Sequence, residues 1–232
     1  MKHINPKGYD WQGQPKPTPV DIQLRVLGLT EGVLDELKKG RSRVLDVGCG
    51  KDAFLVRFLR GRGINAEGLD FRIQENAKEN FLITYCMPKG IKMANEIIPR
   101  PDNYYDLVIS HCMDDFYNPV YIPGSLKARE VEKFEKTFND SPMAHLLRSE
   151  FAFIETMRVI SCGGKGVIYP TPIFLPNMQA TLKDRRCYLE QQSLDSETQE
   201  IVKGEYKTTY LWFEKPRKCG DSETRTIIHK KD

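Results

Sequence analysis

The alternation of apolar and polar positions predicts a strand–turn–helix–strand unit in the first third of the chain. Between residues 41 and 70, a short apolar run ends on Asp46 and meets two closely spaced glycines. A segment with apolar residues at helical spacing follows, and a second strand-like run ends on Asp70. Strand, glycine turn, helix, strand and acid follow one another as in a nucleotide-binding βαβ unit.

The same pattern predicts further elements along the chain. Thr30 is a plausible N-cap for a short amphipathic helix that stops near Gly40. Tyr105-Asp106 opens a buried parallel strand, and the pair Gly163-Gly164 separates a long helix from a fifth strand. The remaining predictions are a helix over residues 73–85, a third strand at 91–93, a helix over 141–160 and strands at 166–169, 187–192 and 206–213.

Three segments outside this pattern are predicted to be accessory. Residues 1–24 are rich in proline and form an extended arm, so that residues 1–40 pack on or cap the ligand site. Residues 113–141 exceed an ordinary strand-to-helix connection and indicate a lid-like insertion. Residues 216–232 are polar and basic and indicate a frayed tail. The core is then expected over residues 41–215.

Charge and cysteine content narrow the function classes. The 232 residues include 35 basic and 32 acidic side chains, a net charge of +3 that is too even to indicate nucleic-acid binding. No apolar run is long enough to cross a bilayer, and the N-terminus lacks a signal-peptide core, so we expect a cytoplasmic protein. The six cysteines form no CxxC pair, which favours free thiols and no metal site.

The glycine turn leaves two nucleotide classes open. Gly48-x-Gly50-x-x-Ala53 satisfies a loose dinucleotide fingerprint, which would suit a nicotinamide-dependent oxidoreductase. Asp46, two residues before the first glycine, argues against it, because a carboxylate there would repel a pyrophosphate by about 1–4 kcal/mol. The same carboxylate would suit a ligand that carries an ammonium group and a sulfonium.

The segment VLDVGCG, residues 44–50, resembles the first motif of the class I S-adenosylmethionine-dependent methyltransferases, and Asp70 matches their ribose-binding acid. The resemblance extends over about residues 41–215. It implies an α/β fold, a Rossmann-like three-layer αβα sandwich whose seven-stranded sheet is mostly parallel with an antiparallel last strand. It also implies S-adenosyl-L-methionine as cofactor and methyl transfer to an O, N, S or C nucleophile.

The resemblance also implies a set of cofactor contacts. Asp46 would organise the charged end of the cofactor, Asp70 would hold the ribose and Phe71 would pack against the adenine. Asn95 follows the predicted third strand, where the family usually shows an acid that contacts the adenine. The implied cofactor-binding residues are Asp46, Gly48, Cys49, Gly50, Asp70, Phe71, Asn95 and Ser110.

Candidate acceptor-side residues lie at the carboxyl end of the fourth strand and in the accessory segments. His111 is a candidate general base because its ordinary pKa suits neutral pH; a histidine that is simply hydrogen-bonded beneath a loop is the alternative. The candidate substrate-pocket residues are Tyr9, Trp11, Asp114, Phe116, Tyr117 and Tyr121.

The sequence does not identify the methyl acceptor. A small molecule is favoured slightly over a protein or RNA, because the net charge is modest and no recognition domain is appended. Ala94 stands where the family usually has a polar side chain, so a non-catalytic cofactor-binding or partner-activating protein stays an alternative.

Overall fold

A seven-stranded sheet organises the residues that the computed structural model describes, namely 18–70, 80–84, 98–111, 153–170, 179–210 and 223–232. Its order is β3-β2-β1-β4-β5-β7-β6. The strands are β1 (Arg43–Val47), β2 (Asn65–Asp70), β3 (Leu82–Thr84), β4 (Tyr105–His111), β5 (Ile160–Tyr169), β6 (Cys187–Ser193) and β7 (Thr224–Lys230).

All strands but one run in the same direction. β1 pairs in parallel with β2 and β4, and further parallel pairs join β2 to β3 and β4 to β5. β7 is antiparallel to both of its neighbours, β5 and β6, so β6 again points along the first five. The predicted mostly parallel sheet with an antiparallel last strand is confirmed. The carboxyl ends of β1, β2 and β4 therefore share one edge.

Helices cover both faces of this sheet. They are α1 (Val20–Leu27), α2 (Glu31–Lys39), α3 (Phe54–Gly61), α4 (helical residues 153–159), α5 (Gln179–Asp184) and α6 (Ser196–Tyr210). One apolar cluster joins the sheet to α1, α2, α3 and α6, and another joins its opposite face to α4 and α5. This is the predicted three-layer αβα sandwich. No described helix is long and apolar enough to cross a membrane.

The elements around the first turn form for local reasons. Val44, Leu45 and Val47 are all buried, as expected for a parallel strand covered on both faces. In α3 the buried residues recur at helical spacing, and this face packs on β2. The Thr30 hydroxyl accepts a hydrogen bond from the Val33 N–H, which confirms the predicted N-cap of α2.

The prediction of an arm up to residue 24 was wrong in its last part. Residues 20–27 form α1, because Ile22, Val26 and Leu27 bury their side chains in the core. Pro19 is compatible with this helix, since an N-cap position needs no intrahelical N–H. Residues 1–17, which complete the predicted arm, lie outside the described residues.

The third strand was predicted in the wrong place. β3 lies at residues 82–84, inside the segment predicted to be a helix, and pairs in register with residues 68–70 of β2. This strand has only three residues, and its partner is distant in sequence, so local apolar periodicity did not indicate it. The segment predicted as the third strand, 91–93, lies outside the described residues.

The last strand was also misplaced. Residues 196–210 form α6, although 206–213 had been predicted to be a strand. Asp195 starts this helix, because its carboxylate accepts hydrogen bonds from the N–H and the hydroxyl of Thr198. The seventh strand, β7, lies within the predicted tail, and Thr226 and Ile228 are buried there between β5 and β6. Residues 216–232 are therefore not simply a frayed tail.

The fifth strand begins earlier than predicted. α4 ends at residue 159, and β5 starts at Ile160, so Gly163-Gly164 lies inside the strand and does not end the helix. Tyr105 pairs with Ile160, whereas Leu107 pairs with Lys165, so β5 accommodates extra residues at this point. The glycine pair thus marks a bulge, which is a common role of glycine in a strand.

Candidate functional site

Four polar side chains meet at the carboxyl edge of the sheet. Asp46 lies one residue before the end of β1, Asp70 is the last residue of β2, and Ser110 and His111 close β4. In open α/β sheets ligands bind at this edge, where the connecting loops diverge. The fold therefore brings together residues that are up to 65 positions apart in the chain.

The turn after β1 is fixed by hydrogen bonds to β2. The N–H groups of Gly48 and Cys49 donate to the Leu69 carbonyl at 2.7 and 3.2 Å, and the Gly50 N–H donates to Asp70 Oδ2 at 2.8 Å. The φ angles of Gly48 and Gly50 are +81° and +76°, in a region that other residues rarely adopt. The glycine turn, residues 48–50, is therefore held by the protein itself.

Asp46 is a buried carboxylate without a compensating partner among the described residues. It is 3% exposed. Burial, and secondarily the negative charge of Asp70, raises its pKa from 3.8 to about 7. No hydrogen bond to this carboxylate from a described residue contributes to that pKa. A buried anion without a partner is costly, so a cation placed beside Asp46 would be strongly favoured.

Asp70 is a buried acid that contacts the glycine turn. It is 4% exposed, and it anchors the glycine turn through Gly50. A carboxylate offers about four acceptor directions. The contact with Gly50 is therefore compatible with hydrogen bonds from the hydroxyls of a ribose.

Ser110 and His111 both contact neighbouring residues of the sheet. The Ser110 hydroxyl is buried and donates to the Val47 carbonyl at 2.9 Å, which ties the end of β4 to the end of β1. The His111 ring stacks on Tyr169 with centroids 5.8 Å apart. Burial lowers the pKa of His111 to about 4. His111 is therefore neutral at physiological pH and a weak base.

The comparisons with known proteins give one partial family match and several similar structures. The family described as "Methionine biosynthesis protein MetW" matches residues 30–127, which is less than half of the chain and contains the segment from β1 to β4. No curated protein matches the sequence. Similar solved structures include the [4+2]-cyclase SpnF, which is 14% identical with a TM-score of 0.45; the alignment covers 98% of this chain and 87% of SpnF.

Two further similar structures are methyltransferases by description. A putative methyltransferase in complex with the Trm112 methyltransferase activator, from Haloferax volcanii, is 15% identical with a TM-score of 0.43, and coverage is 91% of this chain and 92% of that one. A SAM-dependent methyltransferase from Archaeoglobus fulgidus is 15% identical with a TM-score of 0.42 and coverage of 85% and 89%.

The strand order decides the fold. The first five strands follow the order of the dinucleotide-binding fold, but an antiparallel β7 lies between β5 and β6, where that fold has none. The chain has the class I methyltransferase fold. In this methyltransferase fold, Asp46, Asp70 and the glycine turn lie at the carboxyl edge of β1 and β2, and their contact with a cofactor stays a prediction.

Several predicted site residues lie outside the described part of the methyltransferase fold. The basis for choosing Asn95 is weaker than the sequence indicated, because the strand that pairs with β2 ends at Thr84 and Asn95 does not directly follow it. The residues whose placement is not described are Tyr9, Trp11, Phe71, Asn95, Asp114, Phe116, Tyr117 and Tyr121.

Sequence reasoning missed Gly68, which lies beside the glycine turn. Gly68 is in β2, opposite Asp46, and a Cβ built on it would lie 2.7 Å from Cys49 Sγ. A glycine inside a strand pattern often marks a close approach of another group, so the run Asn65–Asp70 contained a usable signal.

Proposed function

We propose that this protein binds S-adenosyl-L-methionine at the carboxyl edge of β1 and β2 and transfers its methyl group to an acceptor nucleophile. The observation that carries the proposal is the buried Asp46 carboxylate, which has a raised pKa and faces a second carboxylate, Asp70. Two acids in this position favour a ligand with positive charge and disfavour a diphosphate.

The described residues have chemistry that fits this cofactor. We assign Asp46 to its cationic end and Asp70 to its ribose, while the glycine turn leaves space for close approach. The cofactor, when bound, supplies an electrophilic methyl group on sulfur, so the protein has to align donor and acceptor and exclude water. Correct alignment alone recovers roughly 7–11 kcal/mol of a bimolecular barrier.

The remaining predicted contacts stay proposals. Ser110, whose hydroxyl proton is engaged by Val47, would act by shaping the cofactor site. Phe71 is proposed to pack on the adenine, and Asn95 is kept as an adenine contact with the weaker basis stated above. Residues of the arm and of the segment 113–141 are proposed to line the acceptor pocket: Tyr9, Trp11, Asp114, Phe116, Tyr117 and Tyr121.

His111 would assist the acceptor as a hydrogen-bond acceptor more than as a strong base. Its pKa of about 4 makes imidazolium formation unfavourable at neutral pH. We therefore expect an acceptor atom that is already nucleophilic. Because the net charge is modest, we propose a small molecule as acceptor in preference to a protein or RNA. We propose a cytoplasmic location, which suits the free thiols of the described cysteines Cys49, Cys162 and Cys187.

Calorimetric titration with S-adenosylmethionine, its demethylated product and NADH tests the proposal. We expect both sulfur compounds to bind and Asp70→Ala to weaken them roughly tenfold to a few hundredfold, because hydrogen bonds to a charged group are lost. Asp35→Ala, which removes an exposed acid of α2, is the control and should bind normally. Binding of NADH alone would contradict the proposal.

Binding without turnover would favour the alternative of a non-catalytic or partner-activating protein. Radiolabelled cofactor incubated with cell extract, followed by separation of the labelled products by size, distinguishes this case. It also separates a small-molecule acceptor from a protein or RNA acceptor. Labelled product that depends on Asp70 would support methyl transfer.

A further inference from the structure

Gly68 leaves a notch in β2 that the side chain of Cys49 fills. A Cβ on residue 68 would lie 2.7 Å from Cys49 Sγ, 3.3 Å from Cys49 Cβ and 2.9 Å from Val56 Cγ2. Approaches below 3.0 Å are essentially never adopted by real Cβ atoms. The thiol can therefore lie against the strand only because residue 68 has no side chain. We call the space over Gly68, which the Cys49 side chain fills beside Val56, the Gly68 notch.

The Gly68 notch holds the middle residue of the glycine turn. The Cys49 N–H donates to the Leu69 carbonyl, and the thiol donates to the Gly50 carbonyl at 3.5 Å. The Cys49 residue is thus held to β2 in two ways, by the hydrogen bond of its backbone N–H and by the packing of its side chain. The next residue, Gly50, is the one that donates to Asp70.

We propose that Cys49 and Gly68 are positioning residues for the cofactor site: the thiol, seated in the Gly68 notch, fixes the glycine turn relative to β2 and so keeps Gly50 against Asp70. The test of this inference by cofactor affinity rests on the proposed function. The test by the reactivity of Cys49 needs no cofactor and is independent of that function.

A matched pair of glycine substitutions tests the proposal by cofactor affinity. Gly68→Ala should raise the Kd for S-adenosylmethionine about tenfold to a hundredfold, because an extra methyl group in a packed site displaces its neighbours. Gly61→Ala is the control, since a Cβ on that helical glycine meets nothing within 4 Å. It should leave the Kd unchanged.

Two double variants separate positioning of the turn from packing of α3. Cys49→Ala removes the sulfur, so Gly68→Ala combined with Cys49→Ala should return the Kd to within about threefold of Cys49→Ala alone. Gly68→Ala combined with Val56→Ala relieves only the contact with α3 and should not restore binding. If Gly68→Ala alone fails to fold, its combination with both Cys49→Ala and Val56→Ala, which removes both close contacts, should fold.

The rate at which iodoacetamide alkylates Cys49, followed by mass spectrometry of its peptide, provides a readout that needs no cofactor. Gly68→Ala should expel the thiol from the notch and accelerate alkylation at least severalfold, whereas Gly61→Ala should not.

Wild-type affinity together with an unchanged alkylation rate in Gly68→Ala would overturn the proposal. So would a double variant with Cys49→Ala whose Kd stays as high as that of Gly68→Ala alone. If the wild-type protein does not bind the cofactor but alkylation accelerates in Gly68→Ala, the proposed function fails and the packing inference stands.

Discussion

The two edges of the sheet treat buried charge in opposite ways. At the edge near the start of β4, the buried Glu155 and the half-buried Glu67 each have a guanidinium partner. Arg158 makes two hydrogen bonds to Glu155, at 2.7 and 2.8 Å, and Arg100 makes two to Glu67, at 3.0 and 2.8 Å. At the carboxyl edge, Asp46 has no described cation beside it, and its strongest charged neighbour is another acid.

The paired edge functions as a structural clamp. Arg158 also donates to the carbonyl groups of Ile98 and Arg100, so one side chain ties α4 to the segment that leads into β4. The Tyr105 hydroxyl donates to Glu67, and burial together with this contact raises its pKa well above the ordinary value. Because Glu67 and Glu155 are already paired with guanidinium groups, neither offers an uncompensated charge that a ligand could neutralise.

The contrast indicates which edge is built for binding. The partner of a paired buried charge offsets its desolvation cost, whereas a buried charge that the fold leaves uncompensated is a cost that a ligand can remove. Three substitutions test this comparison, and the first of them has a control variant.

The largest effect is expected from the paired edge. Arg158→Met keeps most of the side-chain volume but removes the guanidinium partner of the Glu155 carboxylate. The two side chains are only 10% and 9% exposed, so water cannot replace that partner fully. We expect the free energy of unfolding to fall by about 3–5 kcal/mol in urea denaturation. Arg25→Met is the control, because its pair with Glu197 is 45% and 70% exposed, and it should cost less than about 1 kcal/mol. Equal losses in the two variants would contradict the clamp.

An effect of opposite sign is expected at the carboxyl edge. The pKa of Asp46 is about 7 in the folded protein against 3.8 ordinarily, so the folded state holds a proton that the unfolded state releases. Wild-type stability should therefore fall as the pH rises from about 4 to 7, with the full penalty above 7. Asp46→Asn should raise the free energy of unfolding at pH 8 by about 1–4 kcal/mol.

Urea denaturation of both proteins at pH 5 and pH 8 measures this difference. The gain should shrink toward pH 5, where the wild-type carboxyl group is largely protonated in the fold. Cofactor affinity should fall in the same variant, so stability and binding would change in opposite directions. A variant that is less stable at pH 8 would show that Asp46 already has a stabilising partner.

The smallest effect is expected at His111. Because its pKa is about 4, the ring stays neutral between pH 6 and 8.5, and the pH–rate profile should show no inflection from it. His111→Gln keeps a hydrogen-bonding side chain and should lower the turnover rate by less than about tenfold. An inflection near pH 6.5 that disappears in His111→Gln would instead establish a titrating base.

The parts of the fold that were predicted have local signals. β1, β2 and β4 are short apolar runs next to turn residues, and Asp46 and Asp70 are recognisable because each ends such a run. β3 and β7 were missed because their position is set by partners distant in sequence: Gly68 pairs with Leu82, and Ile228 pairs with Gly166. α6 was missed because the residues near its end are β-branched and aromatic, which favours a strand. The Asp195 cap and the burial of Val202 outweigh this local preference.

The chemistry of the site was predictable only in part. The sequence places acids near a glycine turn, but the pKa of Asp46 depends on its burial and on the negative charge of Asp70 on the neighbouring strand β2. The notch at Gly68 likewise depends on which residue the turn folds back to contact. Arg158 could not be paired from the sequence, since its acceptors Ile98 and Arg100 precede it by about 60 positions.

The insertion of β7 between β5 and β6 has a consequence for the order of assembly. In the sheet that the described residues form, β6 pairs only with β7, and about 30 residues separate the end of β6 from the start of its partner. While a ribosome extends the chain, β6 emerges first and has no strand to join until residues 224–230 follow. The outer third of the sheet must therefore close last, and a chain that stops before β7 would lose two strands instead of one.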